Sequence, residues 1–206
     1  MRTAIVESGC LISFGGRSGA RRTFVTALLL LAGLMPGFVL NASDNERRSP
    51  DVVVEEANGL YSVTASFHVP QSPAAVVSVL TNYEQIPRFM LDVKTSVVLE
   101  RTPGGAVVEQ EAVSRLLMFS KRVHLILEVT ETPGTVRFRD RCGKSFSHYE
   151  GLWSMSARDG GTDVRYELMA RPTFGIPEAI LTRVLRRDSA RMIDSLRQEI
   201  ADTASR

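Results

Sequence analysis

The sequence is poor in the residues that most often carry chemistry: its 206 residues include two cysteines, three histidines and one tryptophan. Cys10 lies in an N-terminal segment, and loss of that segment leaves Cys142 alone and excludes an intrachain disulfide. The histidines, at 68, 124 and 148, are scattered and form no closely spaced metal-binding set with Cys142. We therefore predict no metal and no cofactor, and we interpret Cys142 as a small, partly buried strand residue.

Catalytic signatures and surplus charge are also missing. The sequence contains no glycine-rich phosphate loop and no Gly-x-Ser-x-Gly nucleophile motif. The formal net charge is +2, but four arginines and one glutamate lie in the first 42 residues, and the remainder carries 21 basic and 22 acidic side chains. A near-neutral body excludes electrostatic wrapping of nucleic acid, so no nucleic-acid partner is predicted.

A long hydrophobic run is lacking too. The apolar stretch over residues 24–40 has 17 residues and is broken by Gly33 and Pro36, whereas a stable membrane span needs roughly 20 apolar residues. Arg21-Arg22 precede the stretch and resemble the start of a twin-arginine export signal. We predict that residues 1–42 are an export signal that delivers the protein to the periplasm; the alternative is an uncleaved anchor through residues 24–40.

The rest of the chain predicts one α+β domain over residues 51–206, after a charged linker over 43–50. Asn58-Gly59 favours a tight hairpin, because both residues tolerate positive φ. Ser72-Pro73 favours the start of a helix, and a second short helix follows it. Strands are then predicted over 93–100, 106–118, 122–130, 135–142, 146–157 and 162–171. Their short links predict an antiparallel meander.

One long amphipathic helix is predicted from about Pro177 to the end of the domain. Its apolar stripe must be buried, and the preceding strands offer a sheet to cover it. The stripe fails once, at Asp188-Ser189, which indicates either a helix facing a wet cavity or a local exposed patch. Arg183, Arg187 and Arg191 form a ridge at i, i+4 spacing beside the stripe.

Several motifs in this order resemble a known superfamily. They are Ser72-Pro-Ala-Ala-Val76, Tyr83-Glu-Gln-Ile-Pro-Arg-Phe89 and Phe146-x-x-Tyr-Glu-Gly-x-Trp153. Together they are similar to the START-like superfamily, which includes polyketide cyclases/dehydrases and coenzyme Q-binding proteins, over about residues 63–201. The resemblance implies a helix-grip fold: a curved antiparallel sheet of about six to seven strands around the C-terminal helix, with two short helices after the first strand and an apolar cavity. It implies no single activity.

Strand alternation predicts which side chains face that cavity. Gly151, between two inward-facing aromatic residues, is predicted to leave the cavity open. Polar side chains on the inward face are the most informative, since burying them without partners costs about 1–3 kcal/mol. The candidate ligand-binding residues are Phe89, Met90, Gln110, Leu125, Leu127, Phe138, Asp140, Tyr149, Gly151, Trp153, Tyr166 and Ser189. The alternatives are that the apolar members fill a core and that the polar members bond one another or internal water.

The leading functional hypothesis is binding of a hydrophobic small molecule or lipid, for transport or chaperoning, in a cavity between the sheet and the C-terminal helix. One alternative is a polyketide cyclase/aromatase-like enzyme, in which Asp140 with Tyr149 or Tyr166 would handle protons. A second alternative is a protein-interaction module that uses the arginine ridge. The apolar tip Leu116-Leu117-Met118-Phe119 is a candidate for transient membrane contact or for gating the pocket; otherwise it packs as a strand end.

Overall fold

The structure, a computed structural model, describes residues 50–116 and 119–205. The predicted export segment, residues 43–49 of the predicted linker, and Leu117 and Met118 of the apolar tip lie outside the described residues, as do the side chains of Leu116 and Phe119. Within the two described ranges, no helix combines the length and the apolar character needed to span a membrane.

Eight strands and three α-helices make up the described part of the chain. The strands are β1 (Asp51–Ala57), β2 (Leu60–Val69), β3 (Val93–Thr102), β4 (Gly105–Leu116), β5 (Phe119–Thr132), β6 (Thr135–Asp140), β7 (Phe146–Arg158) and β8 (Gly161–Pro172). The helices are α1 (Pro73–Leu80), α2 (Ile86–Phe89) and α3 (Glu178–Ala204), with a 3₁₀ turn over Tyr83–Gln85 before α2. The predicted α+β class is confirmed.

The strands form one antiparallel sheet in the order β1-β2-β8-β7-β6-β5-β4-β3. β3 to β8 are consecutive neighbours, which confirms the predicted meander. The count is eight because both arms of the hairpin at Asn58 and Gly59 join the sheet, and both turn residues have the expected positive φ of 54° and 77°. For the same reason the short helices follow the second strand, where they carry the chain from β2 to the opposite edge of the sheet.

Local signals set the ends of the helices. Ser72 caps α1, where its hydroxyl accepts a hydrogen bond from the Ala75 backbone N–H at 3.4 Å, and Pro73 occupies the first turn. Both features stabilise a helix start, because Ser satisfies a free N–H and Pro lacks one. α3 begins directly after Pro177, as predicted.

The long helix α3 packs against β1, β2 and α1. Ile193, Leu196 and Ile200 are at most 1% exposed and belong to the same core cluster as Val63 and Val76. Burying side chains of this kind contributes roughly 1.5–3 kcal/mol each. The second half of α3 is therefore packed tightly in the core. Leu181, Val184 and Leu185 of the first half border the cavity described below.

One predicted boundary was wrong in a way that matters for chemistry. β6 ends at Asp140, two residues before the predicted end, so Cys142 lies in the loop to β7 and not in a strand. The cause is a turn held by the Asp140 carboxylate, which accepts hydrogen bonds from the backbone N–H groups of Cys142 (3.1 Å) and Gly143 (3.0 Å). Asp commonly stabilises turns in this way.

Candidate ligand cavity

A cavity of about 530 Å³ lies between the curved sheet, the first half of α3 and the segment that contains α2. Its walls are mainly aliphatic and aromatic side chains, with few polar groups among them. Pockets for drug-sized ligands typically measure roughly 300–1,000 Å³ and have this character. The cavity is therefore large enough for a medium-sized apolar molecule.

Ten of the twelve predicted ligand-binding residues line this cavity. They are Phe89, Met90, Gln110, Leu125, Leu127, Phe138, Tyr149, Trp153, Tyr166 and Ser189. Most lie on strands, where side chains alternate between the two faces of the sheet. The sheet residues follow the predicted alternation, and α2 supplies the Phe89–Met90 end of the wall.

Two phenols, those of Tyr149 and Tyr166, are the notable polar groups of the cavity. Tyr166 packs on Trp153 with ring centroids 4.4 Å apart, and Tyr149 packs on Phe146 at 4.8 Å and on Phe138 at 5.9 Å. Neither phenol oxygen has a hydrogen-bond partner among residues 50–116 and 119–205. Aromatic packing therefore positions both rings and leaves both hydroxyls available.

Burial extends the pH range over which both phenols stay protonated. Desolvation is the main cause that raises the pKa of Tyr149 to about 12, and the nearby Asp140 carboxylate is the second. Desolvation also raises the pKa of Tyr166 well above its ordinary value, with Tyr149 as the second cause. A protonated phenol can donate a hydrogen bond, so at neutral pH the cavity presents two O–H donors.

Gln110 and Ser189 are predicted polar side chains that also border the cavity. The Gln110 amide donates to the Ser96 hydroxyl at 3.1 Å, so part of its hydrogen-bonding capacity is already used. Ser189 is 6% exposed, and its hydroxyl has no partner among the described residues. Ser189 thus adds a third available hydroxyl from the helix side of the cavity.

Asp140, predicted to face the cavity, does not line it. Besides the two turn amides, its carboxylate accepts a hydrogen bond from the Ile126 backbone N–H at 2.9 Å. A carboxylate that receives three backbone N–H groups is engaged in holding the chain and is a poor candidate for moving protons. The prediction that Asp140 contacts a ligand or acts as a proton-handling group therefore lacks the geometry it requires.

Gly151 does not line the cavity either, and its role differs from the predicted one. A Cβ atom built there would lie 2.3 Å from the Phe138 ring and 2.7 Å from the Glu167 carbonyl oxygen. The space that Gly151 leaves is filled by the Phe138 ring, which itself lines the cavity. Gly151 therefore shapes the wall indirectly, by letting the Phe138 ring approach the backbone of β7 closely.

Phe146, Phe174 and Ile176 are among the lining residues that the predicted list does not contain. Phe146 and Tyr149 share a wall although they are three residues apart, because a register irregularity between Phe146 and His148 interrupts the alternation. Phe174 and Ile176 lie in the loop before α3, where no periodicity applies. Large apolar residues next to a helix start are the signal that points to them, since such residues often pack back on the helix.

Charged residues form a network at one side of the cavity, which we call the rim network (Asp92, Ser114, Arg187, Asp188 and Arg191). The Asp188 carboxylate accepts from Ser114 (2.9 Å), Arg187 (2.8 Å) and Arg191 (2.9 Å), and Arg191 also donates to Asp92 at 2.7 Å. The network ties α3 to β4 and to the turn before β3. This network explains why the apolar stripe of α3 is interrupted at Asp188 and Ser189. Asp188 accepts a hydrogen bond from Ser114 on β4, and Ser189 lines the cavity.

Comparisons with known proteins agree with this architecture. The model of a family described as polyketide cyclase/dehydrase and lipid transport matches residues 61–201. No curated protein sequence matches the chain. Among solved structures, a protein from Thermus thermophilus, TTHA0849, is 18% identical with a TM-score of 0.62, covering 69% of this chain and 98% of that one.

Two other solved structures carry descriptions of function. A STAR-related lipid transfer protein from Xanthomonas axonopodis is 18% identical with a TM-score of 0.56, covering 75% of this chain and 99% of that one. The Zhui aromatase/cyclase from Streptomyces sp. R1128 is 14% identical with a TM-score of 0.59, covering 69% of this chain and 94% of that one. At these identities the likeness establishes a common fold, which confirms the predicted helix-grip architecture.

Proposed function

Because the chain belongs to the polyketide cyclase/dehydrase and lipid transport family, we propose that it binds a hydrophobic small molecule or lipid in the cavity beneath α3. The structural relatives named above include a lipid transfer protein and an aromatase/cyclase. Binding and carriage are the simpler use of this site, since its unpartnered polar groups are hydrogen-bond donors in a mainly apolar wall. The fold alone does not decide between ligand binding and catalysis.

The pair of unpartnered phenols in an apolar wall carries this proposal. Neither phenol bonds another side chain of the described residues, and a new hydrogen bond contributes about 0.5–1.5 kcal/mol, so Tyr149 and Tyr166 gain when a ligand supplies an acceptor. Both are donors at neutral pH, because the ordinary phenol pKa of 10.0 already lies well above 7 and burial raises the pKa of each further. A carbonyl or hydroxyl oxygen on a ring system meets this requirement. The proposed ligand class is therefore a quinone, a sterol-like molecule or an acyl compound with a neutral polar head.

The sole tryptophan of the sequence, Trp153, lies in the cavity wall and provides the test. Titration with a ubiquinone analogue, a sterol and a long-chain fatty acid, followed by Trp153 fluorescence, should give saturable one-to-one binding of a neutral ring compound. Binding should weaken in Tyr149→Phe and Tyr166→Phe. Fluorescence that responds to none of these compounds, together with failure to displace an apolar dye, would refute the proposal.

A second candidate function, a cyclase-like reaction on a polyketide or aromatic substrate, rests on the same phenols. Two protonated hydroxyls in a desolvated wall can polarise a carbonyl and support enolisation. Incubation with a reactive poly-β-ketone should then give a cyclised product whose formation Tyr149→Phe abolishes while binding persists. Product formation at the uncatalysed rate would leave binding as the function.

We also propose that the ligand exchanges at a membrane surface. Leu91, on the segment after α2, borders the cavity and is 76% exposed, the highest exposure among the large hydrophobic residues described. The exposed Lys121 borders the same cavity at the start of β5, next to the apolar tip. An exposed apolar side chain and an exposed cation that border one cavity suit an anionic bilayer. Leu91→Glu should slow ligand transfer between vesicles without changing affinity, and unchanged transfer would exclude this route.

The cellular location and the interaction surface are separate proposals. We propose that residues 1–42 export the protein, which a fusion of that segment to a periplasm-dependent reporter tests directly. A protein-interaction role for the arginine ridge has less support, because the Arg187 and Arg191 guanidinium groups are already bonded within the rim network. Charge reversal at Arg183 should therefore release no partner in pull-downs.

A further inference from the structure

A second cluster of reactive groups lies apart from the cavity. Glu109 on β4 and His124 on β5 are not among the cavity-lining residues, and alternation places both on the opposite face of the sheet. Cys142, in the loop after β6, reaches back to His124: its Sγ lies 3.4 Å from the imidazole Nδ1. Cys142 is the free cysteine of the described residues. Three segments distant in sequence thus bring a thiol, an imidazole and a carboxylate together.

Hydrogen bonding fixes the protonation pattern of this cluster. The Glu109 Oε1 atom lies 2.9 Å from His124 Nε2, and a carboxylate can only accept, so Nε2 carries the hydrogen. In the neutral ring Nδ1 then holds a lone pair, and it faces the Cys142 thiol. Glu109 and Cys142 engage opposite ring nitrogens, so the three groups do not converge on a common point where a metal ion would sit.

In this arrangement Cys142 is placed as a nucleophile, His124 as its base and Glu109 as the carboxylate that orients the base. We propose that Cys142 is an activated thiol and a site of oxidation by small peroxides. His124 takes the thiol proton, and the sulfur attacks one peroxide oxygen as the O–O bond breaks. The proton on His124 then passes to the departing hydroxide. The products are cysteine sulfenic acid and water: sulfur loses two electrons and the peroxide gains them.

The loop around Cys142 is built to hold this geometry. The Asp140 carboxylate accepts from the Cys142 amide and from the Ile126 amide of β5, and the His124 amide of β5 donates to the Ser145 hydroxyl at 3.1 Å, so both ends of the loop are tied to β5. Cys142 is half-buried and the His124 side chain is 21% exposed, which leaves room for a small oxidant but shields the thiol from large ones. Peroxide is the reagent class that fits.

The test is the rate of sulfenic acid formation at Cys142 in the full chain treated with hydrogen peroxide, trapped with dimedone and read by peptide mass spectrometry. Mapping by peptide separates Cys142 from Cys10. We expect Cys142 in the folded protein to react at least about tenfold faster than in the urea-unfolded chain, as activated thiols do. His124→Gln should remove this advantage, and Cys142→Ser should abolish the signal.

Glu109 is a positioning residue, and a graded series tests it. Glu109→Ala removes the acceptor and should slow oxidation most, whereas Glu109→Gln keeps an acceptor without the charge and should give an intermediate rate. His148→Gln is the matched control, because His148 lies 3.4 Å from Glu150 on β7, two strands away from β5, and has no thiol beside it. Circular dichroism and ligand binding verify folding. Equal rates in the folded and unfolded chains, or in the folded parent and His124→Gln, would overturn the proposal.

Discussion

Trp153 and Tyr166 are direct cross-strand partners on β7 and β8, and their rings lie 4.4 Å apart at a 35° tilt. Aromatic pairs in such contact contribute about 0.5–1.5 kcal/mol beyond their buried area. The contact fixes the Tyr166 ring without using its hydroxyl. A polar atom held by packing alone is free to bind whatever enters the cavity.

The first prediction concerns that hydroxyl. Tyr166→Phe should leave the free energy of unfolding unchanged or slightly higher, because no described residue bonds the hydroxyl. Ligand affinity should fall about three- to tenfold, the value of one hydrogen bond. Trp153 fluorescence titration and urea denaturation measure the two quantities.

Tyr83→Phe is the matched control for this change. Tyr83 also borders the cavity, but its hydroxyl donates to Glu131 at 2.7 Å. This variant should lose about 1 kcal/mol of stability and keep its affinity. The reverse pattern, with Tyr166→Phe destabilised and binding normally, would mean that the Tyr166 hydroxyl has a structural role.

Tyrosine ionisation gives the second prediction. The sequence has four tyrosines, and burial is the main cause that raises the pKa of each of them: Tyr61, Tyr83, Tyr149 and Tyr166. At pH 10, the ordinary pKa of tyrosine, the folded protein should show little tyrosinate absorbance, while the unfolded protein should show half of its maximum. Half-maximal absorbance in both states would contradict the burial of these rings.

The third prediction follows from the same pKa values through linkage. Tyr149 has a folded pKa of about 12 against an ordinary 10.0, so above pH 10 the unfolded state loses its proton first. The contribution of Tyr149 to stability is therefore complete below pH 10 and is lost as pH rises towards 12. Urea denaturation across this window should show a shallower decline in Tyr149→Phe. An identical pH dependence in both proteins would show that Tyr149 does not contribute.

The fourth prediction concerns Gly151. Gly151→Ala places a methyl group against Phe138 and against a backbone oxygen, and overpacking of this kind costs about 1–3 kcal/mol. The displaced Phe138 ring should move into the cavity and lower ligand affinity. Gly104→Ala is the control, because nothing lies within 4 Å of a Cβ there. Adding Phe138→Leu should restore part of the loss, and a fully additive double variant would argue against this contact.

The fifth prediction concerns the rim network. Asp188→Asn weakens its bonds to Arg187 and Arg191 and should speed ligand release, because α3 is then tied less firmly to β4 and to the turn before β3. Stability should fall by no more than about 1 kcal/mol, since these groups are partly exposed. Stopped-flow release of a fluorescent ligand measures the rate. Asp194→Asn, which also borders the cavity but belongs to no ion pair in the described chain, should leave release unchanged.

The sequence predicted the cavity wall best where the backbone is most regular. Tyr149, Trp153 and Tyr166 were placed correctly because alternation holds along the paired parts of β7 and β8. Phe146 was missed because a register irregularity shifts the alternation by one residue. The hairpin at Asn58 was predictable because its turn residues act locally.

Asp140 and Cys142 are placed by contacts that the sequence pattern did not reveal. The Asp140 carboxylate is committed to Ile126, fourteen residues earlier in the chain, and this contact exists only after β5 and β6 pair. Cys142 meets His124 for the same reason. Side-chain roles that depend on contacts between distant segments carry no periodic signal in one sequence.

Ligand occupancy is the central claim, and native mass spectrometry of the protein purified from its own host tests it most directly. The parent protein should carry one apolar molecule per chain, released on unfolding and identifiable by its mass. The Tyr149→Phe/Tyr166→Phe variant should carry markedly less of it. A parent protein whose mass equals that of the polypeptide alone, and that takes up nothing from a lipid extract of the same host, would contradict ligand binding as the function.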